Sequence, residues 1–146
     1  MNCSENYYEL IGSIEAYPDD AVTFGRPFNL EKKSDPTDFS ASEERKISIE
    51  MKPKSGSLKE SAETGVAGDS YEVTVSWEIE QVTRETYAQL ETLKTTTNHL
   101  IVRTFGDNKM FVRAVEEGYE FQYEEGEGVI SCTLTIRNLT GAQRVV

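Results

Sequence analysis

A chain of 146 residues with 26 acidic and 15 basic side chains carries a formal charge of -11, which repels a phosphate backbone and argues against direct, sequence-specific nucleic-acid binding. The length is that of a single domain, residues 1–146, able to bury roughly two thirds of its unfolded surface without covalent staples. Cys3 and Cys132 are too few for a disulfide framework and read as free thiols in a reducing compartment.

No stretch has the apolar length that spans a bilayer. Met1 to Pro18 lacks the basic and continuous apolar regions of a secretory leader, so neither a membrane partner nor export is expected. Tyr7 to Tyr17 mixes aromatic and aliphatic residues with Glu9, Ser13 and Glu15, the pattern of a strand bent at Gly12. Pro18-Asp19-Asp20 predicts a turn. Residues 18–43 then read as a long loop with a short strand around Val22 to Phe24. The apolar residues Phe24, Phe28, Leu30 and Phe39 are more than an inert linker carries. Alternation returns between Lys46 and Lys52, with Ile47, Ile49 and Met51 on one side, and Pro53 ends it. Residues 54–69 are rich in Ser, Gly, Lys and Glu, with only Leu58 and Val66 as substantial apolar side chains, and predict a second long loop or exposed hairpin tip.

From Tyr71 to Glu80 the rhythm is unbroken: Tyr71, Val73, Val75, Trp77 and Ile79 share one face, and Glu72, Thr74, Ser76, Glu78 and Glu80 the other. That is a strand with one buried face. At Thr83, a fitting N-cap with Glu85 in the first turn, the period changes, and Tyr87, Leu90 and Leu93 with Ala88 fall on one side of a helix ending near Thr95. Four short strands follow, His99–Phe105, Lys109–Val115, Tyr119–Tyr123 and Val129–Asn138, joined by turns rich in Gly, Asp, Asn and Glu, which predicts an antiparallel meander. In the last of them Ile130, Cys132, Leu134 and Ile136 face inward. The fold class is therefore mainly β with some α: seven or eight strands in an antiparallel β-sandwich or partly closed barrel, with one flanking α-helix.

Little in the chain suggests chemistry. His99 is the sole histidine, so one chain cannot supply a multi-histidine metal site, and a structural, satisfied ring is the simpler reading. The carboxylate pairs Asp19-Asp20, Glu43-Glu44 and Glu116-Glu117 are sequence neighbours rather than groups held across a cleft. The run Glu124-Glu125-Gly126-Glu127-Gly128 lacks the spaced ligands of a calcium loop. Trp77 and the seven tyrosines invite a sugar-platform reading, but Trp77, Tyr71 and Tyr87 fall on faces assigned to the core. No catalytic residue, metal site or cofactor is expected, and the chain is not read as an enzyme.

The C-terminal half, Tyr71 to Val146, resembles the structural proteins of bacteriophage tails, the group of tail-tube and tail-ring subunits that includes the tube protein of type VI secretion. The resemblance is one of layout. It rests on the alternating strand Tyr71 to Ile79, the helix Thr83 to Thr95, the strand His99 to Phe105, the hairpin through Phe111-Val112-Arg113-Ala114 and the closing segment Cys132 to Arg144. It implies a non-enzymatic subunit of a phage or prophage tail that self-assembles into a homo-oligomeric ring or tube and meets other tail proteins. Such a protein resides in the virion tail, or in the host cytoplasm during assembly. Phe24, Phe28, Leu30, Phe39, Leu58 and Val66, on the two expected loops, are then possible subunit contacts. A carbohydrate- or small-molecule-binding β-domain is the alternative, suggested by the aromatic content and the acidic hairpin tips.

Overall fold

The computed structural model describes residues 6–25, 39–65, 68–106 and 108–145, so Phe28, Leu30 and Val66 lie outside the described residues. The first strand, β1 (Asn6–Pro18), carries most of the architecture because it serves two partners in succession. Its register shifts between Ile11 and Ser13, at Gly12. Asn6 to Ile11 pairs with β5 (Gly56–Gly65), and Ile11 to Pro18 pairs with β7 (Asn98–Thr104). A bulge at this point re-aims the strand, and two arms of one sheet diverge from it.

One arm runs β5, β6 (Gly68–Ile79), β10 (Ile130–Asn138), β9 (Tyr119–Glu125); the other runs β7, β8 (Lys109–Val112), β11 (Ala142–Arg144). The two-residue β4 (Ile47–Ser48) also pairs with β1, giving nine strands in this sheet. All pairings are antiparallel, and the sheet is open, its path ending at β11 and β9. β2 (Val22–Phe24) and β3 (Phe39–Ala41) form a separate two-stranded ribbon.

The inward faces of both arms meet in one core. Val73, Val75, Trp77 and Ile79 of β6 and Ile130, Cys132, Leu134 and Ile136 of β10 pack in it with Leu100 and Val102 of β7 and Val112 of β8. The alternation read from Tyr71 to Ile79 and from Val129 to Asn138 is therefore the burial pattern observed. The single helix among the described residues, α1 (Arg84–Thr95), begins at Thr83, whose Oγ1 accepts from the Thr86 amide while Thr86 Oγ1 accepts from the Thr83 amide. This reciprocal cap satisfies two otherwise orphaned donors. α1 lies against the open side of the core. Gln89 Nε2 donates to Ser48 O at 2.9 Å, and Tyr119 Oη of β9 donates to Leu93 O at 2.6 Å.

Several expectations are corrected. Of the two readings of residues 54–69 the hairpin holds and the long loop does not: Gly56–Gly65 is a full strand that turns back into β6, held on both edges by β1 and by β6. Its inward positions are Gly56, Leu58 and Glu60, so only one of them advertises burial, and the carboxylate of Glu60 is kept inside by accepting from the Ala142 amide of β11 at 2.6 Å. Within residues 18–43 the short strand expected around Val22 to Phe24 is present as β2, and its partner β3 is a second strand that the sequence did not suggest. Leu90 and Leu93 of α1 are buried as expected, but Tyr87 stands 44% exposed and Ala88 is exposed too, and Thr86 takes the third buried place. Finally the strands after α1 are not a meander. β8 does not pair with β9, because the chain crosses between arms through a 3-10 turn at Glu116–Gly118, where a Cβ on Gly118 would overlap the carbonyl oxygen of Arg137. The described residues hold eleven strands rather than seven or eight.

Candidate functional site

β7 is buried on both faces. Leu100 and Val102 point into the main core, while the intervening Ile101 joins Tyr17 and Phe111 in a second cluster, covered by Val22, Phe24, Phe39 and Ala41 of the β2–β3 ribbon. His99 takes its place on this covered side, opposite Tyr17 in the β1–β7 register. It is 1% exposed. Phe24 meets the imidazole edge-on with centroids 5.0 Å apart, and Phe111 lies nearly parallel to it at 5.9 Å. The Arg113 guanidinium sits 3.7 Å over the Phe24 ring, a cation–π contact in a partly desolvated setting.

Both imidazole nitrogens are engaged. The Ala114 amide donates to Nδ1 at 2.8 Å, which fixes Nδ1 as the bare nitrogen, and Nε2 therefore carries the proton and donates it to Asp19 Oδ1 at 2.7 Å. Asp19 is positioned by its own amide, which donates to Thr97 O at 3.0 Å. Burial pulls the His99 pKa below its ordinary value and Arg113 pushes the same way, against the Asp19 hydrogen bond and charge. The ring is a neutral one at pH 7. A cleft of about 230 Å³ opens beside it, with Asp19, Arg113 and Glu116 among its walls.

This arrangement limits the chemistry of the pair. A general base or a metal ligand needs a nitrogen lone pair directed at its target. In an acid–base dyad the carboxylate accepts from one ring nitrogen and leaves the other free; here a backbone amide fills the second. His99 is a structural clamp, as its isolation in the sequence suggested. Among the described residues no three His, Cys, Asp or Glu side chains converge as metal ligands. The Cys132 thiol and the Tyr119 hydroxyl are each pushed up to about 12 by burial, so neither is an anion at neutral pH. No helix of the described residues is long and apolar enough to cross a membrane.

Of the residues singled out as possible subunit contacts, Phe24 and Phe39 come together on the outer face of their own chain's sheet, Phe39 stacking on Phe111 at 4.0 Å. Leu58 is 0% exposed inside the main core, a correction that follows from the strand it occupies. Trp77 is 1% exposed and stacks on Phe121, as a core residue rather than a platform. Sequence reasoning missed Asp19 and Arg113. Asp19 lies 80 positions from His99, and no local pattern connects a turn aspartate with a strand histidine at that distance. Comparison with known proteins gave no match to a family model, a curated protein or a solved structure.

Proposed function

We propose that this chain is a non-enzymatic structural subunit of a phage or prophage tail that self-assembles into rings or a tube. The observation that carries this reading is the layout from residue 68 onward: long alternating β6, capped α1, the β7–β8 hairpin, β9 and β10 returning to β6, and a short closing β11. These elements occupy the residues on which the resemblance to tail proteins rests. The two arms share one core and the Glu60–Ala142 hydrogen bond ties β5 to β11, which supports a sandwich reading of the open sheet. The net charge of -11 suits a surface past which a polyanion slides without adhering.

Exposed apolar side chains give the assembly reading a place to act. Phe105 and Leu10 are 58% and 45% exposed, and the Phe105 amide donates to Leu10 O at 3.1 Å, so the two mark one spot at the β1–β7 junction. The carbohydrate-platform alternative has less support, since its strongest aromatic, Trp77, is packed inside. Size exclusion with light scattering over a range of concentrations, followed by electron microscopy of the same fractions, tests the proposal. Rings or tubes are expected; a monomer at every concentration overturns it. A glycan array and melting with and without calcium test the alternative, which flat results in both would remove.

A further inference from the structure

The β2–β3 ribbon is held to β7 and β8 by contacts that converge on one side chain. Asp19, in the 3-10 turn directly before β2, binds His99 of β7; Phe24 of β2 packs on the His99 ring; and Phe39 of β3 stacks on Phe111, which itself faces His99. We propose that His99 is a proton-operated latch: uptake of a proton at Nδ1 releases the β2–β3 ribbon and uncovers Phe111 and Ile101.

The argument is geometric. Nδ1 is the one basic nitrogen of the neutral ring, and the Ala114 amide donates into its lone pair from 2.8 Å. A proton arriving there from water sets two N–H donors against each other, and a donor facing a donor cannot be relieved without moving the ring. Any rotation that parts Nδ1 from Ala114 also disturbs the Nε2–H bond to Asp19 or the packing against Phe24. Among the described residues the ribbon's strands are three residues each and pair only with one another, so what holds it to the sheet is the side-chain packing around His99 and Phe111, with the Arg113–Phe24 contact and the Asp19–Thr97 backbone bond.

The charged groups around the ring do not cancel the effect. Asp19, before β2, favours the imidazolium through its 2.7 Å contact, but burial of the ring outweighs it. Arg113, following β8, opposes it, and Glu116 of the next turn lines the same cleft. From β1 the ring faces Tyr17, whose hydroxyl donates to Glu43 at 3.4 Å. Burial leaves the enclosed ring a poorer proton acceptor than a released one, which returns to about 6.5. Protons therefore bind the open state better, and opening becomes easier as pH falls below about 6.5, by up to about tenfold per pH unit until the enclosed ring titrates too.

Hydrogen exchange by NMR on the full chain at pH 7.5, 6.5 and 5.5, corrected for intrinsic rates, reads the latch directly. Protection at β2 and β3 is expected to fall roughly tenfold by pH 5.5 while amides of the β6–β10 ladder keep theirs. His99→Gln, which retains a donor for Asp19 and has no ionisable ring, should abolish the pH dependence. Should that variant not fold, Asp19→Asn decides. It still accepts from Nε2 and leaves the ring ionisable, so a roughly tenfold fall relative to its own pH 7.5 value should persist, whereas a fall driven by the Asp19 carboxylate itself would vanish. Unchanged ribbon protection at pH 5.5, an equal fall in β6–β10, the same fall in His99→Gln, or no fall in Asp19→Asn would each overturn the proposal.

Discussion

Leu58→Ala is the sharpest test of the architecture, because Leu58 sits in a stretch whose composition reads as loop and whose structure is core. It is 0% exposed, paired with Val75 of β6 on one side and Glu9 of β1 on the other. The substitution removes three carbons, about 2.4 kcal/mol at roughly 0.8 kcal/mol per methylene. A cavity adds to this where neighbours cannot collapse, and β5 is locked between two paired strands, so about 3 kcal/mol is expected within the usual ~2–5. For a chain of this size that lowers Tm by about 6–12 °C. Urea unfolding followed by the fluorescence of Trp77, itself buried in the same core, measures the loss at low protein concentration. Glu63→Gln, exposed on the same strand, is the control and should stay within about 0.5 kcal/mol. A loss below about 1 kcal/mol for Leu58→Ala, or one seen only at concentrations where the protein associates, would refute the placement of β5 in the core.

Four further outcomes follow from named contacts. Thr83→Ala removes the cap of α1 and should cost about 1 kcal/mol by thermal melting, with the sheet signal intact. Tyr119→Phe deletes a hydroxyl that donates to Leu93 O and accepts from Asn98 Nδ2, costing about 1–2 kcal/mol. Its raised pKa also predicts that the wild type loses stability as pH rises from about 10, where the unfolded tyrosine ionises, to about 12, and that the variant loses less over that range when stability is measured at each pH. In a Cys3→Ser background the Cys132 thiol should resist a thiol-specific dye at pH 8 in the folded protein and react promptly once unfolded. Phe105→Ser should leave melting within about 0.5 kcal/mol but weaken assembly in light scattering, since the side chain is more exposed than buried.

Much of the fold was legible in the chain because one-sided burial writes itself as a period. The Tyr71–Ile79 and Ile130–Asn138 strands, the bend at Gly12 and the Thr83 cap each follow from local residue order, and the structure has them where that order puts them. Helix phase was less secure. Thr86 competes with Tyr87 for the buried side, and it wins because its hydroxyl is already occupied, by Thr83 and by Glu50 Oε2 at 3.2 Å.

What the sequence alone determined was therefore the mainly antiparallel β character and the capped helix after β6. The tertiary structure decided the rest. Whether Gly56–Gly65 is strand or loop depended on partners from β1 and β6, and whether a polar residue such as Glu60 could turn inward depended on an amide 82 positions away. The same holds for His99, whose tautomer is set by the bonds to Asp19 and Ala114 and whose neutrality is set by burial under the ribbon. Hydrogen bonds between distant segments leave no periodicity behind, because their strength depends on where the folded backbone places two groups and not on the spacing of either in the chain.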